Sequence, residues 1–184
     1  MNIRKFVEKD ALSVQVIYRL AFASFPWYED LSNEEIEKRW KTQQAKIGFE
    51  CLIADALNKV VGAIWWDKPT LDELRSERGK FIIQFVKQKI RMGDLLVWER
   101  ELIVSPAYQG HGIGSQLRAA FIELVLNRCE RRVLILTRMR DDNLSVIRIA
   151  EKFGFKRTGY RTPSSQKSGV FHEYWYFSKE RGNQ

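Results

Sequence analysis

Apolar residues recur at helical spacing in several segments of the chain, and polar capping residues precede three of them. Asp10 is predicted to cap a helix that reaches about Ser24. The capping-box patterns Ser32–Glu35 and Thr70–Glu73 predict helices that reach about Ile47 and about Met92, the latter interrupted near Gly79. Further helices are predicted over 112–127 and 143–152. The first helix is expected to pack through its apolar stripe, which consists of Leu12, Val16, Leu20 and Ala23.

Shorter runs of apolar residues between these segments predict strands. They are expected at 2–7, 49–54, 60–66, 95–104, 133–137, 156–160 and 170–177. The resulting order, β-α-α-β-β-(α)-β-α-β-α-β-β, is typical of an α/β fold with a mixed sheet and helices on its faces. The chain contains no convincing linker, so we predict one domain over 1–184 with a helical insertion at about 67–93.

The charge balance is basic, with 31 Lys and Arg against 23 Asp and Glu and a net charge of +8. A basic surface suits an anionic partner, either nucleic acid or a polyphosphate cofactor. The densest basic cluster has no interleaved aromatic residues and no nucleic-acid motif, so we expect a solvated surface and no nucleic-acid partner. This cluster consists of Arg128, Arg131, Arg132, Arg138 and Arg140.

Cysteine and histidine are scarce in the chain. Cys51 and Cys129 are expected to be packing residues, and two histidines without other ligands at suitable spacing argue against a metal site. No apolar run is long enough to span a bilayer, and residues 1–10 do not resemble a signal peptide. We therefore predict a cytoplasmic protein with no membrane partner and no metal.

A strand, a turn and a glycine-rich loop before a helix lie between residues 95 and 127, which predicts an anion site. The first N–H groups of a helix lack intrahelical partners and carry partial positive charge, and glycines let a phosphate approach the backbone. A P-loop is excluded because Gly114 is followed by Ser115-Gln116 and not by Lys-Ser or Lys-Thr. A dinucleotide-binding fingerprint is excluded because the glycine spacing differs and the next strand ends on Thr137, which is not acidic.

The remaining pattern, Q/R-x-x-G-x-G/A, is met by Gln109, Gly112 and Gly114 and resembles the pyrophosphate signature of the GNAT acetyltransferases. A second signature of that family follows, in which Asn143 opens a helix that ends in Gly154-Phe155. The resemblance covers residues 95–159. It implies a GNAT-like mixed sheet and direct transfer of an acyl group, expected to be acetyl, from acyl-CoA to an amine.

The resemblance also implies which residues bind the cofactor, acetyl-CoA. Backbone groups of Leu102, Ile103 and Val104 are expected to pair with the pantetheine arm, and Asn143 is expected to bind that arm from the other side. N–H groups of the loop are expected to bind the pyrophosphate, with the His111 ring facing solvent. The loop consists of Gln109, Gly110, His111, Gly112, Ile113, Gly114 and Ser115.

A general base must take a proton from the attacking amine, and two glutamates are candidates. Glu99 and Glu101 lie two residues apart and so share one face of their strand. The resemblance favours Glu101. The general acid stays open, because Ala150 stands where the family often has tyrosine. Candidate substitutes are Tyr160, Tyr174 and His172, and the alternative is that the thiolate leaves without a proton donor.

Aromatic residues beside acidic ones suit an amine on a flat or apolar body, and Trp27, Tyr28 and Trp65 are predicted to bind the acceptor. That acceptor is either a small-molecule amine or a protein or peptide amine. The apolar stripe of the insertion is expected to cover the acceptor cleft or to contact a second subunit in a homodimer. This stripe consists of Ile82, Phe85, Val86 and Ile90.

Two other functions stay open from the sequence. A catalytically weak CoA-binding or regulatory module would explain Ala150, and a nucleic-acid-associated protein would explain the net charge of +8.

Overall fold

The computed structural model of the protein describes residues 1–181. The helices are α1 Ala11–Phe22, α2 Asn33–Gln44, α3 Leu71–Arg78, α4 Lys80–Lys89, α5 Ile113–Arg128 and α6 Leu144–Lys152. The strands are β1 Asn2–Lys5, β2 Glu50–Ala56, β3 Lys59–Asp67, β4 Leu95–Val104, β5 Arg132–Arg140, β6 Lys156–Pro163 and β7 Phe171–Glu180. The predicted order of helices and strands is confirmed, with ends that differ by a few residues.

The strands form one seven-stranded sheet in the order β1-β2-β3-β4-β5-β7-β6. Strands β1, β2 and β3 pair antiparallel, β4 pairs parallel with β5, and β7 pairs antiparallel with both β5 and β6. The sheet is therefore mixed, which confirms the predicted α/β class. Within the described residues, each helix is too short or too polar to cross a bilayer.

Contacts between residues divide the chain into two compact units. The first unit comprises Met1–Trp66 and Arg100–Ile122, and the second comprises Asp67–Glu99 and the chain from Glu123 onward. Strand β4 and helix α5 each run from one unit into the other. A single domain over the whole chain stays a prediction.

In the first unit, α1 and α2 pack through aromatic and aliphatic side chains against β2 and β3. The Ser32 hydroxyl accepts a hydrogen bond from the Glu35 N–H at 3.2 Å, and the Glu35 carboxylate accepts one from the Ser32 N–H at 2.8 Å, so the predicted capping box begins α2. Buried members of this core include Val14, Ile17, Ile36, Trp40, Ile53 and Trp65.

The predicted packing face of α1 is wrong. Leu12 is 76% exposed, and Val16, Leu20 and Ala23 are also exposed. The buried face carries Val14, Ile17 and Phe22 instead. Both faces of α1 are apolar, so helical spacing alone could not identify the one that meets the sheet.

Asp10 does not cap α1, contrary to the prediction. Its carboxylate accepts hydrogen bonds from the Arg4 guanidinium at 2.7 and 2.9 Å and from the Val7 N–H at 2.9 Å. The hydrogen bond from Arg4 holds the pKa of this carboxyl below its usual range. The residue stabilises the link between β1 and α1 rather than the first turn of the helix.

In the second unit, Leu95–Glu99 of β4 pair with Val133–Thr137 of β5. The Thr70–Glu73 capping box begins α3 as predicted, and Gly79, with φ of +79°, separates α3 from α4. The face of α4 that carries Ile82 and Val86 packs on the unit's own sheet. The core there consists of Leu74, Ile82, Ile83, Val86, Trp98, Leu134, Leu136 and Tyr174.

The predicted role of the insertion stripe is therefore corrected. Ile82 and Val86 are fully buried, and Phe85 and Ile90 are partly buried against the same core. The stripe is covered by strands of its own unit and needs neither a substrate nor a second subunit to cover it. Cys51 and Cys129 are free and buried, as expected for packing residues.

Candidate active site

Hydrogen bonds from its own side chains shape the loop between β4 and α5. The Gln109 carboxamide nitrogen donates to the Val104 carbonyl at 3.1 Å, and Nδ1 of His111 lies 2.8 Å from the Gln109 carbonyl. His111 is exposed, as expected, but its ring is fixed by this contact. The Gln109 side chain thus anchors the loop to the end of β4.

Gly110 and Gly112 have φ of +80° and +78°, in the left-handed region that side chains disfavour. The Gln116 N–H donates to the Gly112 carbonyl at 3.1 Å, which is an early helical bond of α5. The N–H groups of Ile113, Gly114 and Ser115 precede that bond, at the positively polarised end of the helix. This geometry suits a phosphate, and a pyrophosphate site at this loop stays a prediction.

The last residues of β4 lead directly into this loop. Ile103 is buried in the first core, whereas Leu102 and Val104 are partly exposed. The Ser105 N–H donates to the Val61 carbonyl at 2.9 Å, which fixes the end of β4 against β3. The three residues predicted to pair with pantetheine therefore lie on a strand whose position is set by the core.

A cavity of about 220 Å³ lies in the first unit beside Glu101, which is partly buried. Helix α1 contributes two of its residues, α2 contributes most of the others, and β3 contributes Trp65. Its lining comprises Gln15, Tyr18, Ile36, Lys38, Arg39, Trp40, Thr42, Gln43, Trp65 and Glu101. Of the candidate bases, Glu101 is thus placed at a cavity wall.

A polar network lies at this cavity. Arg39 donates to the Glu29 carboxylate at 2.8 Å and to the Tyr18 hydroxyl at 3.5 Å. Burial raises the pKa of the Tyr18 phenol above its usual range, and the negative charge of Glu101 adds to the increase. Tyr18 is therefore a neutral hydroxyl at physiological pH that senses the Glu101 carboxylate.

The predicted acceptor residues are placed differently from one another. Trp65 is 1% exposed, lines the cavity and meets Trp40 edge to face at 5.3 Å between ring centroids. Trp27 stacks on Phe22 at 5.0 Å, at the margin of the first core. Tyr28 is 71% exposed. Among the described residues, the cavity lining includes Trp65 but neither Trp27 nor Tyr28.

Other candidate residues lie in the second unit. Glu99 is only 2% exposed, and Asn143 caps α6, where its carboxamide oxygen accepts from the Val146 N–H at 3.4 Å. Ala150 is fully buried on α6.

The three candidate substitutes for a general acid also belong to the second unit. Tyr174 is buried and meets Tyr160 at 4.9 Å between ring centroids. Burial lowers the pKa of His172 to about 4, and the positive charges of Arg138 and Arg140 add to the decrease. His172 is therefore neutral at physiological pH and cannot serve there as a cationic acid.

The basic cluster is not a uniformly solvated surface, contrary to the prediction. Arg140 is buried and pairs with Asp142 at 2.7 Å, and Arg132 pairs with Asp94 at 2.5 Å. Part of the basic charge therefore holds strand ends and loops of the second unit together.

Sequence reasoning missed Tyr18, Arg39 and Trp40 as cavity residues. They lie on two different helices, so no local motif joins them. The helical period of α2 gives one signal, since Ile36, Trp40 and Gln43 follow one another at spacings of three and four.

The sequence profile of the Acetyltransferase (GNAT) family matches residues 14–155. No curated protein sequence gives a significant match. Similar solved structures include the ribosomal-protein-alanine N-acetyltransferase of Brucella melitensis, at 17% identity and a TM-score of 0.66, over 98% of this chain and 99% of that one.

Two further solved structures contain acetyl-CoA. YncA of Salmonella typhimurium, solved with its cofactor acetyl-CoA, has 17% identity and a TM-score of 0.66 over 100% of this chain and 95% of that one. The phosphinothricin acetyltransferase of Sinorhizobium meliloti, also in complex with acetyl-CoA, has 20% identity and a TM-score of 0.63 over 97% and 87%. At these identities the likeness concerns the fold.

Proposed function

We propose which residues carry the reaction of this chain, which belongs to the GNAT acetyltransferase family. The reaction transfers an acyl group from acetyl-CoA to an amine. We propose that residues 109–115 bind the pyrophosphate of acetyl-CoA and that the backbone of 102–104 pairs with its pantetheine arm. We further propose that the acceptor amine enters the cavity beside Glu101. The observation that carries this proposal is that Glu101, one of the residues that line the cavity, and the phosphate-type loop lie on β4 and on its continuation, within the first unit.

Glu101 is proposed as the general base. The neutral amine nitrogen attacks the thioester carbonyl carbon, so a C–N bond forms, and the C–S bond then breaks to release CoA as a thiolate. The proton lost from nitrogen goes to the Glu101 carboxylate, directly or through one water molecule. The products are an amide and CoA, whose thiolate takes a proton from solvent or from a group of the enzyme.

The cofactor supplies the activated acyl group, and residues of the chain bind the cofactor, bind the amine and accept its proton. The backbone N–H groups of the loop bind the two phosphates of the pyrophosphate, and the loop contains no Lys or Arg.

The test begins with calorimetric titration of acetyl-CoA into the purified protein, followed by thiol release with a panel of primary amines. Binding of acetyl-CoA and amine-dependent release of CoA are expected. Tight binding with no release above the rate of hydrolysis, for every amine, would instead indicate a CoA-binding module. Steeply salt-dependent binding of DNA with no affinity for acetyl-CoA would indicate a nucleic-acid-associated protein.

A further inference from the structure

The cavity beside Glu101 has a buried apolar floor. Ile36, Trp40 and Trp65 are buried, and Tyr18 lies 6.0 Å from Trp65 between ring centroids. Three aromatic side chains and one aliphatic side chain thus face the space that a substrate would occupy. Binding an apolar group against such a surface is favourable, whereas burying a second charge against it is unfavourable.

The charges around the cavity are arranged at its outer part. Lys38 and Arg39 are exposed, and Glu101 is the only acidic residue among the described residues that line the cavity. One carboxylate can serve one ammonium group. A second ammonium on the same substrate would find no second carboxylate among these lining residues and would meet the positive charge of Lys38, whereas Arg39 is paired with Glu29 at 2.8 Å.

The size of the cavity limits how much of a substrate it can enclose. An apolar cavity of about 150 Å³ can hold benzene. The cavity here measures about 220 Å³, which leaves room for one ring and a short amine-bearing chain.

From these three features we propose the substrate class: a small primary monoamine on an apolar body no larger than about one ring. This inference rests on the proposed function, because it assigns the cavity to the acceptor. The amine end lies toward Glu101, where the carboxylate binds it and takes its proton. The apolar body lies against Trp65, Trp40 and Tyr18, where an aromatic ring can pack edge to face or offset.

A matched pair of amines tests the class directly. n-Pentylamine and 1,4-diaminobutane have the same number of heavy atoms and differ in whether a methyl or an ammonium group ends the chain. We expect kcat/KM to be at least about 10-fold higher for n-pentylamine, within the range seen for single-group differences in apolar pockets. 2-Phenylethylamine, which adds a ring, is expected to exceed both.

A variant pair places the effect in the cavity. Gln15 of α1 lines it, whereas Ser13 lies on the exposed side of the same helix. Gln15→Phe should fill part of the cavity and lower kcat/KM for 2-phenylethylamine by about 10-fold or more, with a smaller loss for methylamine. Ser13→Phe introduces the same side chain and should leave both amines unchanged.

The outcomes separate this inference from the proposed function. Acetyl-CoA binding together with a preference for 1,4-diaminobutane, or for a peptide such as trialanine, would overturn the substrate class and leave the acetyltransferase intact. Equal effects of Gln15→Phe and Ser13→Phe on 2-phenylethylamine would remove the acceptor from this cavity. We expect both variants to keep acetyl-CoA binding. The titration of the wild type with acetyl-CoA reports on the cofactor site alone.

Discussion

Introducing a carboxylate or a carboxamide at Gly112 tests whether the loop binds the cofactor. Gly112→Asp and Gly112→Asn are nearly identical in shape, and both residues tolerate the left-handed region better than other side chains do. A Cβ at this position would meet only the Gln116 carboxamide nitrogen, at 4.0 Å. The two variants should therefore fold alike and differ by one negative charge beside the proposed pyrophosphate.

The expected magnitude follows from the backbone geometry and from Coulomb's law. The φ of +78° at Gly112 makes either substitution cost about 1–2 kcal/mol of stability, equally in both variants. A carboxylate about 5 Å from one phosphate charge is repelled by about 0.8 kcal/mol in bulk water and by about 3 kcal/mol at an effective dielectric constant of about 20. The Kd for acetyl-CoA should thus be about 4-fold to 200-fold weaker for Asp than for Asn.

The assay is calorimetric titration of acetyl-CoA into both variants, at two salt concentrations because screening weakens exposed charge repulsion. Thermal unfolding of both variants checks that they fold. Gly154→Asp, at φ of +80° in the second unit, controls for the strain of an aspartate at a left-handed position. Equal acetyl-CoA affinity of folded Gly112→Asp and Gly112→Asn would refute the assignment of the pyrophosphate to this loop.

Two predictions concern stability, one at a core residue and one at a buried carboxylate. Ile82→Ala should destabilise the protein by about 2–5 kcal/mol in urea unfolding, because Ile82 is fully buried. The control Gln84→Ala, on the exposed side of α4, should change stability by less than about 0.5 kcal/mol. A change in oligomeric state of Ile82→Ala at unaltered stability would show that the stripe is an interface. Asp10→Asn should lower stability by about 1–3 kcal/mol at pH 7, where the Arg4 hydrogen bond to the charged carboxylate is present. Because the folded-state pKa of Asp10 lies below the ordinary value of 3.8, this loss should persist above about pH 4 and disappear as the pH falls through the folded-state pKa. A pH-independent difference between Asp10→Asn and the wild type would contradict this account.

Local sequence signals predicted much of the fold. The capping boxes at Ser32 and Thr70 fix the starts of α2 and α3, since each needs only residues three positions apart. The run Leu95–Val104 is followed by Ser105-Pro106, and this local signal predicts where β4 ends. The glycine loop could be predicted because its chemistry depends on the backbone, and glycine spacing reports on backbone conformation.

Features that depend on distant residues could not be predicted in the same way. Helix α1 has two apolar faces, and the sheet selects the one with Val14 and Ile17. Asp10 had the sequence position of a cap, yet a guanidinium from β1 competes for its carboxylate and wins. The cavity is lined from two helices and two strands, so its existence is a property of packing rather than of any motif.

The central claim is that Glu101 takes the proton of an amine bound in the adjoining cavity, and Glu101→Gln tests it most directly. Glutamine keeps the size of the side chain and removes its basicity. With the best amine from the screen, kcat should fall by about 10²–10⁴-fold at pH 7, while the calorimetric Kd for acetyl-CoA stays unchanged. Raising the pH should restore part of the activity, because more of the amine is then neutral. Full activity of Glu101→Gln at pH 7 would contradict the account.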